Sequence, residues 1–152
     1  MRKRTRSREF ALQVLYRIDI NNADLEEVFE DFWRDRSGPD STNKEKEILE
    51  ADKKDPEVKS YAEKLVRGTL DHLERIDRTI ERFAENWQID RMAYVDRNIL
   101  RLSTFEMCYL EDIPIKVALN EAVELAKRYG EADSSKFVNG ILDRIAKTEC
   151  KK

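Results

Sequence analysis

Apolar residues recur at helical spacing along most of the chain. Phe10, Val14 and Ile18, flanked by Ala11, Leu12 and Leu15, predict a first helix over about 6–21, ended by Asn21-Asn22. Asp24 is a helix-capping residue in front of a second stripe, Leu25, Val28, Phe29, Phe32 and Trp33. The run Ser37-Gly38-Pro39-Asp40 breaks it. Residues 41–55 are mostly charged, with Ile48 and Leu49 as the sizeable apolar residues, and predict an exposed loop or a poorly anchored helix. Val58, Tyr61, Ala62, Leu65, Val66, Thr69, Leu70 and Leu73 then hold the i, i+3, i+4, i+7 rule without a miss. Ile76, Ile80, Phe83, Ala84 and Trp87 continue it, with a break expected near 74–77.

The second half repeats the theme. After a short polar connector over 88–95, a helix from about Asp96 to Leu110 is apolar on most sides and is expected to be the most buried. Pro114 suits a first helical turn, and Ile115, Ala118, Leu119, Ala122, Leu125, Ala126 and Tyr129 form the next stripe. Gly130 stops it, and Asp133 or Ser134 caps a last helix carrying Phe137, Val138, Ile141, Leu142 and Ile145. No alternating strand pattern occurs. The expected fold is all-α, with about seven helices.

Composition agrees. The 152 residues suit one domain, and four glycines and three prolines are few for a chain of many short strands. Charge changes the picture more. Residues 1–8, MRKRTRSR, hold five cations and no acid. The remaining 24 Lys and Arg then face 32 Asp and Glu, a net −8. A basic arm on an acidic body is a candidate phosphate-binding device, because guanidinium forks pair with phosphate and stack on bases. A solvated, frayed terminus is the competing reading. The arm supplies Arg2, Lys3, Arg4, Arg6 and Arg8 as candidate nucleic-acid contacts.

Candidate chemistry is sparse. The glycines are isolated, so no phosphate loop is present. Asp19, Asn21 and Glu30 imitate part of a calcium loop, but Asp24 stands where glycine is needed. His72 is a lone histidine beside an apolar stripe and reads as structural. Cys108 reads as a core residue and Cys150 as part of a frayed tail, which excludes a disulfide scaffold and a metal site. No run of 18 apolar residues exists, and no clean signal segment follows the basic start. A cytoplasmic protein without cofactor, metal or catalytic residues is expected, so not an enzyme.

Several segments together resemble the NusB family of bacterial transcription antitermination factors. They are RxxALQxLY from Arg8 to Tyr16, YAEKLVRG from Tyr61 to Gly68, and IDRTI from Ile76 to Ile80. VDRNILRLSTFEM from Val95 to Met107, IPIKVALNEAVELAKRYG from Ile113 to Gly130 and SSKFVNGILDRIA from Ser134 to Ala146 complete the series. The likeness omits only about 37–56. It implies two small helical bundles within one domain, the N-terminal one over 1–86 and the C-terminal one over 87–152.

The resemblance also implies a role. NusB pairs with NusE, itself a small-subunit ribosomal protein. The pair binds single-stranded boxA RNA and acts in the RNA polymerase antitermination complex, notably on ribosomal RNA operons. By this likeness Arg4, Arg6, Arg8 and Phe137 match RNA-contacting positions. Tyr16, Asp96 and Arg101 match positions facing NusE, and Asp133 matches one that influences both. Each has a plainer reading. Phe137 suits a core position, Asp96 and Asp133 suit helix caps, and Arg97 with Arg101 suits a surface pair satisfied by Glu106 or Asp90. A NusB-like domain fused to an RNA methyltransferase is not expected, since 152 residues leave no room for it. The alternative from another class is a helical interaction module or homodimer that does not bind RNA.

Overall fold

A computed structural model describes residues 2–34 and 43–150. Among them are eight α-helices and one short 3-10 turn: α1 (Arg2–Asn21), α2 (Leu25–Arg34), α3 (Asn43–Lys54), α4 (Pro56–Asp71), α5 (Leu73–Phe83), the turn Ile89–Arg91, α6 (Tyr94–Tyr109), α7 (Ile115–Tyr129) and α8 (Ser134–Thr148). The all-α expectation holds. Two compact units, Met1–Lys64 and Leu65–Lys152, divide inside α4.

Boundaries moved where tertiary contacts or backbone geometry overrode the pattern. The basic arm is not frayed: residues 2–8 are the opening turns of α1. Ser7, fully buried, has its hydroxyl 2.8 Å from the Val58 carbonyl and 2.9 Å from that of Lys3, which pins the arm against α4. Within the charged stretch, residues 43–54 are helical; residues 41–42 and the Ser37–Asp40 break lie outside the described residues. The long periodic stretch breaks at His72, earlier than the pattern placed it. Asn22, at φ 50°, ends α1 in the left-handed region that Asn tolerates, and the Ala23 N–H returns to the Ile18 carbonyl at 3.1 Å. Asp24 caps α2 through the Glu27 N–H at 3.3 Å.

In the first unit α1 packs on α2. Phe10 meets Phe32 and Trp33 edge-on, with ring centroids 5.3 and 5.9 Å apart. In the second unit α6 is surrounded by α5, α7 and α8. Every residue from Arg97 to Met107 is buried, the polar ones as well as the apolar. Gly130 terminates α7, its N–H bonding the Ala126 carbonyl at 2.9 Å. One cap expectation fails and one holds in position. Ala93, not Asp96, holds the α6 cap position, whereas Asp133 is the N-cap residue of α8, its carbonyl accepting from the Phe137 N–H at 3.0 Å while its side chain makes no cap bond.

The cysteines require a correction. Cys108 and Cys150 form a disulfide, their Cα atoms 4.7 Å apart across 42 residues of sequence. Packing of α6 on α8 brings the ends of both helices together, which spacing along the chain could not reveal.

His72 is structural, its Nδ1 2.9 Å from the Gly68 carbonyl and its ring against Phe105 and Tyr109. A Cβ at Gly68 would overlap the Phe105 ring. Gly68→Ala would gain about 1 kcal/mol in helix propensity but lose up to about 3 kcal/mol by overpacking. We therefore expect a net loss of about 1–2 kcal/mol in urea unfolding, relieved when Phe105→Leu is added. A Gly68→Ala protein as stable as the parent would contradict this packing.

Candidate nucleic-acid interface

The basic residues predicted to bind RNA all lie on the first two turns of α1, and most of them meet an acid. Arg2 forks onto Asp52, both nitrogens at 3.1 Å. Arg6 reaches the same carboxylate through Nε at 2.8 Å and Glu9 at 3.2 Å. Lys3 lies 3.2 Å from Asp55 and 3.3 Å from Glu57. Arg8 is buried at 2 % exposure and lies 5.8 Å from the centre of the Tyr61 ring. Arg4 is exposed, its guanidinium 4.5 Å above the same ring.

Arg4 and Tyr61 border a cleft of about 450 Å³, completed by Lys3, Pro56, Glu57, Ser60 and Lys64. The helical stripe places Tyr61 in the core. Its ring is indeed nearly covered, but it is the surface on which the basic turns rest. The helical stripe hid this second role.

Protonation follows the pairing. The hydrogen bond from Arg2 to Asp52 raises the guanidinium further above its ordinary value. Hydrogen bonds to Asp55 and then Glu57 raise Lys3. At Asp55 burial pushes the carboxyl upward, but the Glu57 backbone N–H and the Lys3 ammonium outweigh it and hold the group below its ordinary value.

A separate candidate site lies in the second unit. Trp87, Arg91, Met92, Asp96, Asp133 and Phe137 are among the residues around a cavity of about 460 Å³. Asn86, at φ 66°, shapes the turn after α5 that leaves Trp87 49 % exposed. Trp87 meets Phe137 edge-on at 5.8 Å, so Phe137 is half-buried at a rim rather than sealed in the core. One carboxylate oxygen of Asp96 is buried here without a hydrogen-bond partner among the described residues. Three predicted residues thus converge, joined by Trp87, which the helical stripe had disguised as core.

The others do not converge there. Arg101 is 8 % exposed and forks onto Asp77 at 2.8 and 2.9 Å, with Asn98 at 3.3 Å. The acid this geometry supplies is Asp77, which neither sequence alternative named. Arg97 reaches the Ile89 carbonyl at 3.3 Å and lies over Tyr94 at 4.2 Å. Tyr16 is half-buried on α1 in the first unit. Among the described residues no group of three His, Cys, Asp or Glu is placed to hold a metal ion. No helix among them is long and apolar enough to cross a membrane.

This helical class has solved representatives. T. maritima NusB is 38 % identical with a TM-score of 0.79, over 97 % of this chain and 93 % of that one. A structure of the antitermination factors NusB and NusE in complex with dsRNA matches at 35 % identity and TM-score 0.78, over 97 % and 98 %. The NusB family model matches residues 5–147, and the chain belongs to the NusB family. Its relatives include the transcription antitermination protein NusB of Myxococcus xanthus, 44 % identical over 96 % of both chains. That of Bacillus subtilis is 42 % identical over 94 % of both.

The Lys3–Asp55 pair has a pH signature. Because the folded Asp55 carboxyl sits below its unfolded value, its stabilisation is present above about pH 4 and is lost as pH falls through the folded value. Asparagine at this position keeps an acceptor for the Glu57 N–H, 3.0 Å away. We expect Asp55→Asn to melt below the parent at pH 6, and the two Tm values to converge as pH falls through the folded Asp55 value. Parallel Tm curves across that range would exclude the pairing.

Proposed function

We propose that this chain is a transcription antitermination factor that binds RNA jointly with NusE. The observation that carries the reading is its likeness, at 35 % identity over almost the whole of both chains, to a NusB solved with NusE and dsRNA. Its RNA target is single-stranded boxA, in the RNA polymerase antitermination complex on ribosomal RNA operons, and it works in the cytoplasm by binding, not catalysis.

The geometry supports two kinds of RNA contact, each within one unit. Arg4, Lys3 and Lys64 around the first cleft suit phosphates, with Arg2, Arg6 and Arg8 behind them on the same helix. Trp87 and Phe137 present aromatic surface to unstacked bases, and Arg91 stands beside them. The acids Asp96, Glu131 and Asp133 in that cavity disfavour phosphate, so bases rather than backbone fit it. NusE is assigned to Tyr16, Asp96, Arg101 and Asp133. One Asp96 oxygen at this place is a buried acceptor without a hydrogen-bond partner among the described residues.

Fluorescence anisotropy of a labelled boxA RNA, with and without NusE, tests the reading. Binding is expected to strengthen with NusE and to weaken with salt, at a log–log slope no steeper than about −3.5, the value for five phosphate contacts. Trp87→Ala and Phe137→Ala are each expected to weaken it roughly tenfold or more, the worth of one stacked base. A folded protein that binds no RNA in any mixture would leave a helical interaction module or homodimer.

A further inference from the structure

Helix α3 is the part of the chain that the antitermination reading leaves without a role, and its chemistry is unusual. Among its described residues no apolar side chain is buried: Ile48 is 44 % exposed and Leu49 only partly covered. The buried residue is an acid, Asp52, whose side chain is 5 % exposed. It sits in the last turn, where the negative end of the helix dipole disfavours a carboxylate. Its placement therefore does nothing for α3 as a helix. What it does is collect the fork of Arg2 at 3.1 Å and the Nε of Arg6 at 2.8 Å.

Two guanidiniums converging on one oxyanion is the arrangement an RNA phosphate would seek from the same residues. Asp55 and Glu57, just beyond α3, engage Lys3 in the same way. We infer that Asp52 is an internal phosphate surrogate: with Glu57 it occupies the cations of α1 and competes with the RNA backbone for them. The inference rests on the RNA reading above and concerns the regulation of that basic face.

The attachment is of a kind that an RNA strand can displace. Helix α3 is held by ion pairs and by Lys53, which lies 4.2 Å over the Phe32 ring, rather than by an apolar stripe. Elements with few buried apolar contacts open at low cost. A strand bringing several phosphates replaces one carboxylate with more numerous acceptors, while Arg4 on Tyr61 offers a first contact that needs no displacement. The acidic latch thus lowers affinity for short or isolated phosphates more than for a continuous strand.

Asp52→Asn in the full-length protein tests this, with boxA RNA and an unrelated uridine homopolymer as parallel probes. Removing the charge while keeping the shape is expected to tighten binding to both, roughly 10- to 25-fold at 0.1 M salt. The log–log salt slope should steepen by up to about 1.4, the equivalent of two released arginines. Glu57 is 76 % exposed, so Glu57→Gln leaves the fold undisturbed and should show a smaller gain of the same sign. In a background of Arg2→Gln with Arg6→Gln the Asp52→Asn gain should vanish. Affinity unchanged or weakened in a folded Asp52→Asn protein would overturn the inference and make Asp52 a positioning residue for the arginines. If that variant does not fold, an unchanged affinity in Glu57→Gln overturns it. If the parent and every variant fail to bind either RNA, the RNA reading itself has failed, and the surrogate falls with it.

Discussion

A helix buried on nearly every side has no face left for water, and α6 is such a helix. Burying Arg97 to Met107 without a gap obliges α5, α7 and α8 to enclose it. The polar groups carried inward must then be met. Asn98 donates to the Tyr94 carbonyl at 2.8 Å, and Arg101 takes the Asp77 carboxylate. A buried guanidinium left unpaired would cost several kcal/mol, so the Arg101–Asp77 fork also sets how α5 is rotated about its axis. Gly68 admits the Phe105 ring where any side chain would collide. One constraint thus explains a buried ion pair and a glycine within a helix.

The first unit is organised differently. Its aromatic cluster of Phe10, Phe32 and Trp33 is small, and charge does much of the remaining work. A terminal run of five cations would repel itself as a helix end. It is tolerable because Glu9, Asp52, Asp55 and Glu57 stand opposite. Pairs on Lys3, and that of the exposed Arg2 on Asp52, are worth little, whereas the Arg6–Asp52 pair is shielded from water and worth more. The field this face presents to a polyanion is therefore weaker than its sequence suggests, and Arg4 is an exposed cation that rests on the Tyr61 ring.

Helices and core were largely legible in the residues. The stripes on α4, α6, α7 and α8 are long and regular, and period 3.6 is a local property. The sites were legible only in part. Asp96, Asp133 and Phe137 were named from likeness, and the cavity that unites them depends on Trp87, whose place in an apolar stripe gave no hint of its exposure. Asp52 lies 50 and 46 residues from the Arg2 and Arg6 it meets, inside a stretch that reads as solvated charge. Charge pairing over such separations leaves no periodic trace.

The sequence by itself determined that the chain is helical, which helix lies at the centre and where its positive charge is concentrated, because hydrophobic periodicity and local charge density are written along the chain. Tertiary structure alone decided which charges remain available. Whether Arg2 and Arg6 meet Asp52, whether Arg101 binds Asp77, and whether Cys108 and Cys150 meet all depend on how helices far apart in sequence come together. The energy of an ion pair or the closure of a disulfide turns on distances of a few ångströms, which packing sets.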